Sequence, residues 1–335
     1  MFLSGMKISF SIVLLTGFLF IGLLTQCSCN AQEHVVDSNY IKAFERSNVI
    51  EIYPGIYSTR FYFSNPRQRK NDYSLVANSN AHISTNLNYK WLSLRYSWAM
   101  PGTQLDRKVK LQYTSLGLNF GGKQMRFRPF YESYNGLLVP FQKIKDSFNI
   151  FEGIQFTSAG FDYYFFTNTK LFSFSAAKSF SQKQVKSAGS VFLMVTPSWQ
   201  KINWKTPSRD LVKDSATYSL LSQDPEWISL IARLGYTHNF VIDKGGWIIA
   251  PACMVGAGFL NEINTPGKRL QPISNLQAWI NAGFNGPYYY FYFHAWWNNL
   301  QTNLLIKNMN QVNTNFSLTA GYRFPNFRKR LFRFL

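Results

Sequence analysis

From residue 92 onward the chain alternates almost residue by residue: Leu92, Leu94, Tyr96, Trp98 and Met100 are apolar, while Ser93, Arg95, Ser97 and Ala99 between them are polar or small. Side chains of a strand point to opposite faces in turn, so this pattern predicts a strand with one apolar and one polar face. The preceding segment places Ile83, Leu87 and Tyr89 against His82, Ser84, Asn86 and Asn88, which predicts a hairpin turning at Lys90-Trp91. Leu116, Leu118 and Phe120 oppose Ser115, Gly117 and Asn119, and Gly121-Gly122 turns the chain into Met125 and Phe127 against Arg126 and Arg128. The pattern returns from Ile228 to Tyr236 before Asp243-Lys244-Gly245-Gly246, and from Leu276 to Phe284 before Asn285-Gly286-Pro287 and the aromatic strand Tyr288 to Trp297. It ends with Phe316, Leu318, Ala320, Tyr322 and Phe324 against Asn315, Ser317, Thr319, Gly321 and Arg323.

A soluble β-sandwich alternates too, so a single strand does not separate the two architectures. Aromatic residues near strand ends do: Trp91, Trp98, Trp227, Trp247, Trp296 and Trp297 are placed like the girdles of a membrane barrel. The expectation is an all-β fold, an antiparallel transmembrane β-barrel of about 12 to 14 strands, in the outer membrane. A count of fourteen needs one strand at Ile56 to Phe63 and another between Asn135 and Pro225; twelve needs some short turns on the outside.

The N-terminus agrees. Lys7 precedes an apolar run from Ile8 to Leu24, and Cys29-Asn30-Ala31-Gln32 reads as a cleavage site, so residues 1–31 are expected to be a secretory signal peptide. Residues 32–54 then form a periplasmic N-terminal segment, 55–326 the barrel, and 327–335 a basic C-terminal tail. Only Cys253 remains in the mature chain, which excludes an intramolecular disulfide scaffold. With 18% aromatic but only 15% charged residues, the chain is aromatic without being uniformly hydrophobic, as expected where one strand face meets lipid and the other a polar lumen.

The formal charge of +19 bears on partners. Export disfavours nucleic acid, which leaves outer-membrane lipid, lipopolysaccharide and anionic solutes, besides the outer-membrane assembly machinery. Arg95, Arg126, Arg128, Arg233 and Arg323 all fall opposite apolar stripes and are the candidate lumenal basic residues; Glu132 shares the Arg126 and Arg128 face, and Asp162 faces opposite Phe161 and Tyr163. Unpaired, these arginines would favour anions in a water-filled pore; paired, they would hold a filled barrel together. Long outer loops are expected around Gly136 to Phe151 and Lys201 to Pro225.

Catalytic chemistry finds little support. Of His34, His82, His238 and His294, none stands in recognisable relation to a Ser, Asp or Glu, no His or Cys pair has ligand spacing, and no glycine loop suits a phosphate or a cofactor. No cofactor is expected, and the leading reading is a barrel that passes or binds solutes or surface ligands; a barrel enzyme acting on lipid or peptide and a structural or adhesive barrel are the alternatives.

The stretch Phe172-Ser173-Phe174-Ser175-Ala176-Ala177-Lys178-Ser179-Phe180-Ser181-Gln182, followed by Gln184 and by Lys186-Ser187-Ala188-Gly189-Ser190, resembles the core motif of the domain of unknown function 4421 family. Tyr89-Lys90-Trp91-Leu92, Tyr131 to Leu137 and Gly321-Tyr322-Arg323-Phe324 are similar to it as well. The resemblance implies an exported barrel of bacteroidete-type bacteria with no established activity, so it carries over no catalytic residues. Ser187-Ala188-Gly189-Ser190 by itself reads as a strand start where small residues permit close approach of backbone or of a bulky neighbour, a packing role rather than a binding one.

Overall fold

The computed structural model describes residues 36–64, 73–77, 81–89, 92–103, 105, 112–140, 148–149, 154–204, 218, 222–263, 270–304 and 308–325. The signal segment and the basic tail expected at the two ends lie outside them, as do Lys90 and Trp91 and much of both expected outer loops. Alternation is realised as twelve long antiparallel strands: β1 (Asn48–Ser64), β2 (Ala81–Tyr89), β3 (Leu92–Ala99), β4 (Gln112–Gly121), β5 (Met125–Asn135), β6 (Ile154–Phe166), β7 (Ala188–Trp204), β8 (Glu226–Ile242), β9 (Trp247–Glu262), β10 (Gln271–Asn285), β11 (Tyr289–Asn303) and β12 (Asn308–Phe324). Each pairs with its sequence neighbour, and β12 returns to pair with β1 from Asn308 opposite Ser64 to Phe324 opposite Asn48. Closure leaves the barrel without a free edge, which hydrocarbon requires because it offers no partner to an open N–H or C=O.

The count is therefore twelve rather than fourteen, and β1 begins at Asn48, seven residues before the expected barrel boundary at 55. Two strands, β6 and β7, lie between Asn135 and Pro225. Lys201 to Trp204, expected in a loop, continue β7.

Outward positions form the apolar belt. Leu234, Val255, Phe259 and Leu318 are 59%, 63%, 59% and 64% exposed, and Ile50, Ile52 and Ile56 on β1 continue the belt across the closing seam. Along β12 the same face turns polar at Thr314, and along β1 at Ser58, its partner in register. Trp247, Phe284 and Phe291 pack edge to edge beside the short turns, as an interfacial girdle does. Trp98 and Trp247 point outward as expected. Trp227 and Trp296 do not: they occupy inward positions, Trp227 1% exposed and Trp296 packed against the core, because parity along the strand overrides nearness to its end.

The two rims differ. The start of β1, the end of β12, the short turns after β4, β8 and β10, and the connection 167–187 share one end, the end that bacterial barrels keep in the periplasm. At the other end, Tyr73–Ala77 pairs with Arg60 to Phe63 of β1, and Leu137–Pro140 pairs with Tyr73–Ala77 and with Phe148–Asn149. These short strands extend the wall above the shorter β2, β3 and β4.

Candidate functional site

The lumen is filled in layers. Near the outer rim, Phe61 of β1 meets Phe156 of β6 at 5.0 Å between ring centres, and Tyr57 stacks on Tyr134 of β5 at 5.5 Å. β1 and β6 are five strands apart, so these contacts cross the barrel. Leu75, Leu137, Trp204, Trp227, Leu260 and Met309 complete this apolar layer.

At the periplasmic end the chain itself folds inward. After β6 it forms a one-and-a-half-turn helix, α1 (Phe174–Ser179), inside the wall. Ser173 starts the helix, its Oγ accepting from the Ala176 amide at 3.0 Å, and Phe180 ends it in the left-handed conformation at φ 52°. Six residues are too few for a stable helix in water, so the wall must hold it. Asn239 donates to the Ser173 carbonyl at 3.0 Å, Asn281 to the Ala177 carbonyl at 2.7 Å, and Asn285 to the Gln182 carbonyl at 2.9 Å. Arg126 donates to the Ser175 hydroxyl, and Arg323, fully buried, donates to the carbonyls of Phe180 and Gly286. Phe174 and Phe180 pack against Tyr164, Trp279 and Tyr292. Lys183–Gln184 then pairs with Ile41–Lys42, tying the N-terminal segment to the plug. The small-residue run 187–190 serves β7: a Cβ on Gly189 would stand 2.2 Å from the Tyr236 hydroxyl oxygen, so a bulky neighbour does fill that space.

Between the layers runs a polar belt. Arg128 forms an ion pair with Asp162; Thr196 donates to the other Asp162 oxygen at 2.8 Å; Arg233 donates to Thr196 at 2.6 Å and to Asn275; Asn275 donates to Asn298 at 2.8 Å. The chain of contacts joins β5, β6, β7, β8, β10 and β11. It passes over β9 at Gly256, where a Cβ would stand 2.6 Å from Arg233 Cγ. Gly256→Leu is therefore expected to push Arg233 aside and lower stability by about 1–3 kcal/mol, the usual range for overpacking. The denaturant midpoint of the heat-modifiable band measures this; an unchanged midpoint would show that Arg233 does not need that path.

All five arginines singled out above sit inside the wall, in three settings. Arg128 and Arg233 belong to the belt, Arg126 and Arg323 hold the plug, and Arg95 lies over the Tyr53 ring at 5.3 Å. Among the described residues, Arg128 alone of the five has a carboxylate within ion-pair distance. The belt borders a cavity of about 190 Å³, reached by Arg95, Arg128, Glu132, Asp162 and Arg233. Glu132 accepts from the Tyr134 hydroxyl at 3.2 Å.

Two further charged groups of the interior bear on the plug and its surroundings. Glu51 accepts from Asn86 at 2.6 Å and Tyr290 at 2.8 Å, and its inward parity on β1 would have revealed it. Lys178 had no such signal, because only the inward fold of α1 brings it into the lumen, 4.8 Å over the Trp279 ring.

The three described histidines remain apart: His82 is buried on β2, His294 bonds Asn281 at 2.5 Å, and His238 bonds Tyr236 on the outer face, while His34 lies outside the described residues. Among the described residues no three His, Cys, Asp or Glu side chains gather as a metal site would need.

Among solved structures, the chain is similar to the outer membrane protease OmpT of Escherichia coli, with 11% identity and a TM-score of 0.34, over 86% of this chain and 100% of that one. It is also similar to the β-domain of the Bordetella autotransporter BrkA, with 11% identity and a TM-score of 0.39, over 82% and 100%. The translocator domain of the autotransporter NalP from Neisseria meningitidis gives 8% identity and a TM-score of 0.35, over 96% and 100%. No curated protein matches the chain significantly in sequence. The family model of the domain of unknown function DUF4421 matches residues 35–324, from the plug's N-terminal strap to the last residue of β12. The chain therefore belongs to the family of the domain of unknown function 4421.

Proposed function

We propose that the protein is an integral outer-membrane barrel that acts without catalysis, holding a small anionic solute in a lumen closed at rest. The observation that carries this reading is the layering of the interior: an apolar layer near the outer rim and the plug near the periplasmic rim flank a polar chamber whose bordering arginines outnumber its carboxylates. Fixed positive charge beside a water-accessible cavity favours anions, and packed layers on both sides oppose free flow. Movement of α1 is the route by which a solute reaches the chamber, since α1 lies in the interior without being part of the wall.

Partners follow from the same surfaces. The belt meets lipid, while Arg60, facing outward above it, suits lipopolysaccharide phosphates, and β12 supplies the terminal strand for the assembly machinery. Reconstitution in planar bilayers tests the reading: the wild type is expected to show no steady conductance, where an open pore would give a constant, ohmic one. A permanently open wild-type channel overturns it.

A further inference from the structure

The plug leaves a second cavity, of about 60 Å³, between α1 and the wall from β2 to β6. With liquid water occupying about 30 Å³ per molecule, this is room for one small ion and none for a ring. Arg95, Arg126 and Arg128 line it from the wall and Lys178 from α1, and among the described residues no carboxylate lines it. Asp162 neutralises Arg128, while among the described residues Arg95, Arg126 and Lys178 have no carboxylate within ion-pair distance. Arg95 and Lys178 rest on the faces of Tyr53 and Trp279, which attract a cation without cancelling its charge. Arg126 gives one nitrogen to Ser175 and keeps its Nε buried with no partner.

Half-buried cations gathered around one cavity are opposed both by partial loss of hydration and by mutual repulsion, and strand register fixes three of these four in place. What the cavity lacks is a compact anion with several acceptor oxygens, the group that guanidinium and ammonium donors bind best. We propose that this cavity is a binding site for a phosphate-class oxyanion, held between Lys178 of the plug and Arg95 and Arg126 of the wall. The inference rests on the solute-binding reading of the lumen and gives it a ligand class. Because the ligands come from both plug and wall, the anion ties one to the other, and its departure loosens α1. The cavity shares Arg95, Gly117 and Arg128 with the chamber of about 190 Å³, so a phosphate ester can seat its phosphoryl group here and its organic part there.

Calorimetric titration of the full-length folded protein in detergent tests the site, with inorganic phosphate and glycerol 3-phosphate as separate probes at an ionic strength held constant with chloride. Saturable one-to-one binding is expected, weakened about tenfold or more by Lys178→Gln and by Arg126→Gln, each of which removes a charge-assisted contact. Lys178→Arg is expected to keep it, and so is Lys201→Gln, which changes the outer face. Tighter binding of the ester extends the site into the chamber; tighter binding of inorganic phosphate confines it to the small cavity. Heat-modifiable migration reports whether each variant is folded, and if Lys178→Gln is not, the wild type against Arg126→Gln decides. No saturable binding of either probe to folded wild type, or full-strength binding by folded Lys178→Gln and Arg126→Gln, overturns the proposal. Neither result depends on whether the lumen is closed, which bilayer conductance reads separately.

Discussion

Leu318→Arg is expected to stop assembly of the barrel, whereas Ser115→Arg, on β4 and four strands away across the β1–β12 seam, leaves it intact. Leu318 is 64% exposed in the apolar belt, beside Phe293 of β11 in register. An arginine near the bilayer midplane on the lipid face costs about 2–4 kcal/mol, a large share of the stability of a small domain. Ser115 faces inward and borders the polar chamber beside Glu132, its partner in register, so a new guanidinium there gains water and a carboxylate. The contrast is measured by the fraction of heat-modifiable protein recovered from membranes. Equal recovery of the two variants would mean that the exposed apolar belt does not face lipid. Ser317 would be a poor control despite its inward position, since it is 5% exposed and packs close to Gly55.

Arg323→Met is expected to release the plug while the barrel stays folded. The guanidinium is fully buried and donates to Phe180 O, Gly286 O and Asn285 Oδ1, while its Cζ lies 3.7 Å from the centre of the Phe44 ring. A hydrogen bond to a charged group contributes about 1.5–3 kcal/mol, and the carbonyls left behind lose a donor in a buried site. Weakening of the plug by about 3 kcal/mol corresponds to roughly a hundredfold faster hydrogen exchange in α1. Exchange measured by mass spectrometry over residues 174–184 reads this directly, with β8 and β9 as the internal reference. Unchanged protection of the α1 amides would show that Asn239, Asn281 and Asn285 suffice to hold it.

Legibility from sequence varied by strand for a physical reason. β3, β8, β10 and β12 alternate cleanly, because their inward residues are largely polar. β6 does not: Phe156, Tyr164 and Phe166 point inward while Phe161, Tyr163 and Phe165 point outward, so both faces read as apolar. β7 hides in the same way, with Phe192 and Met194 inside and Val191, Leu193 and Val195 outside. β1 was seen only in its upper half, since Val49 and Tyr53 on its inner face interrupt the contrast lower down. A filled lumen thus erases the pattern that an open, polar lumen would leave.

What the chain determines by itself is the parity of each strand: it places Leu94, Leu234 and Leu318 outside and Arg95, Arg126, Arg128, Arg233 and Arg323 inside, because successive side chains of a strand must alternate. What parity cannot state is what stands opposite across the barrel. Arg323 meets Phe180, 143 residues away, and Asn281 meets Ala177, 104 residues away, and both contacts exist only because the stretch between β6 and β7 turns inward. That turn brings Lys178 to Arg95 and Arg126 and converts five separate arginines into a belt, a plug clamp and a cationic cavity. The tertiary structure decided this, since only closure of β12 on β1 sets the lumen's width, and only the width determines that a six-residue helix fills it.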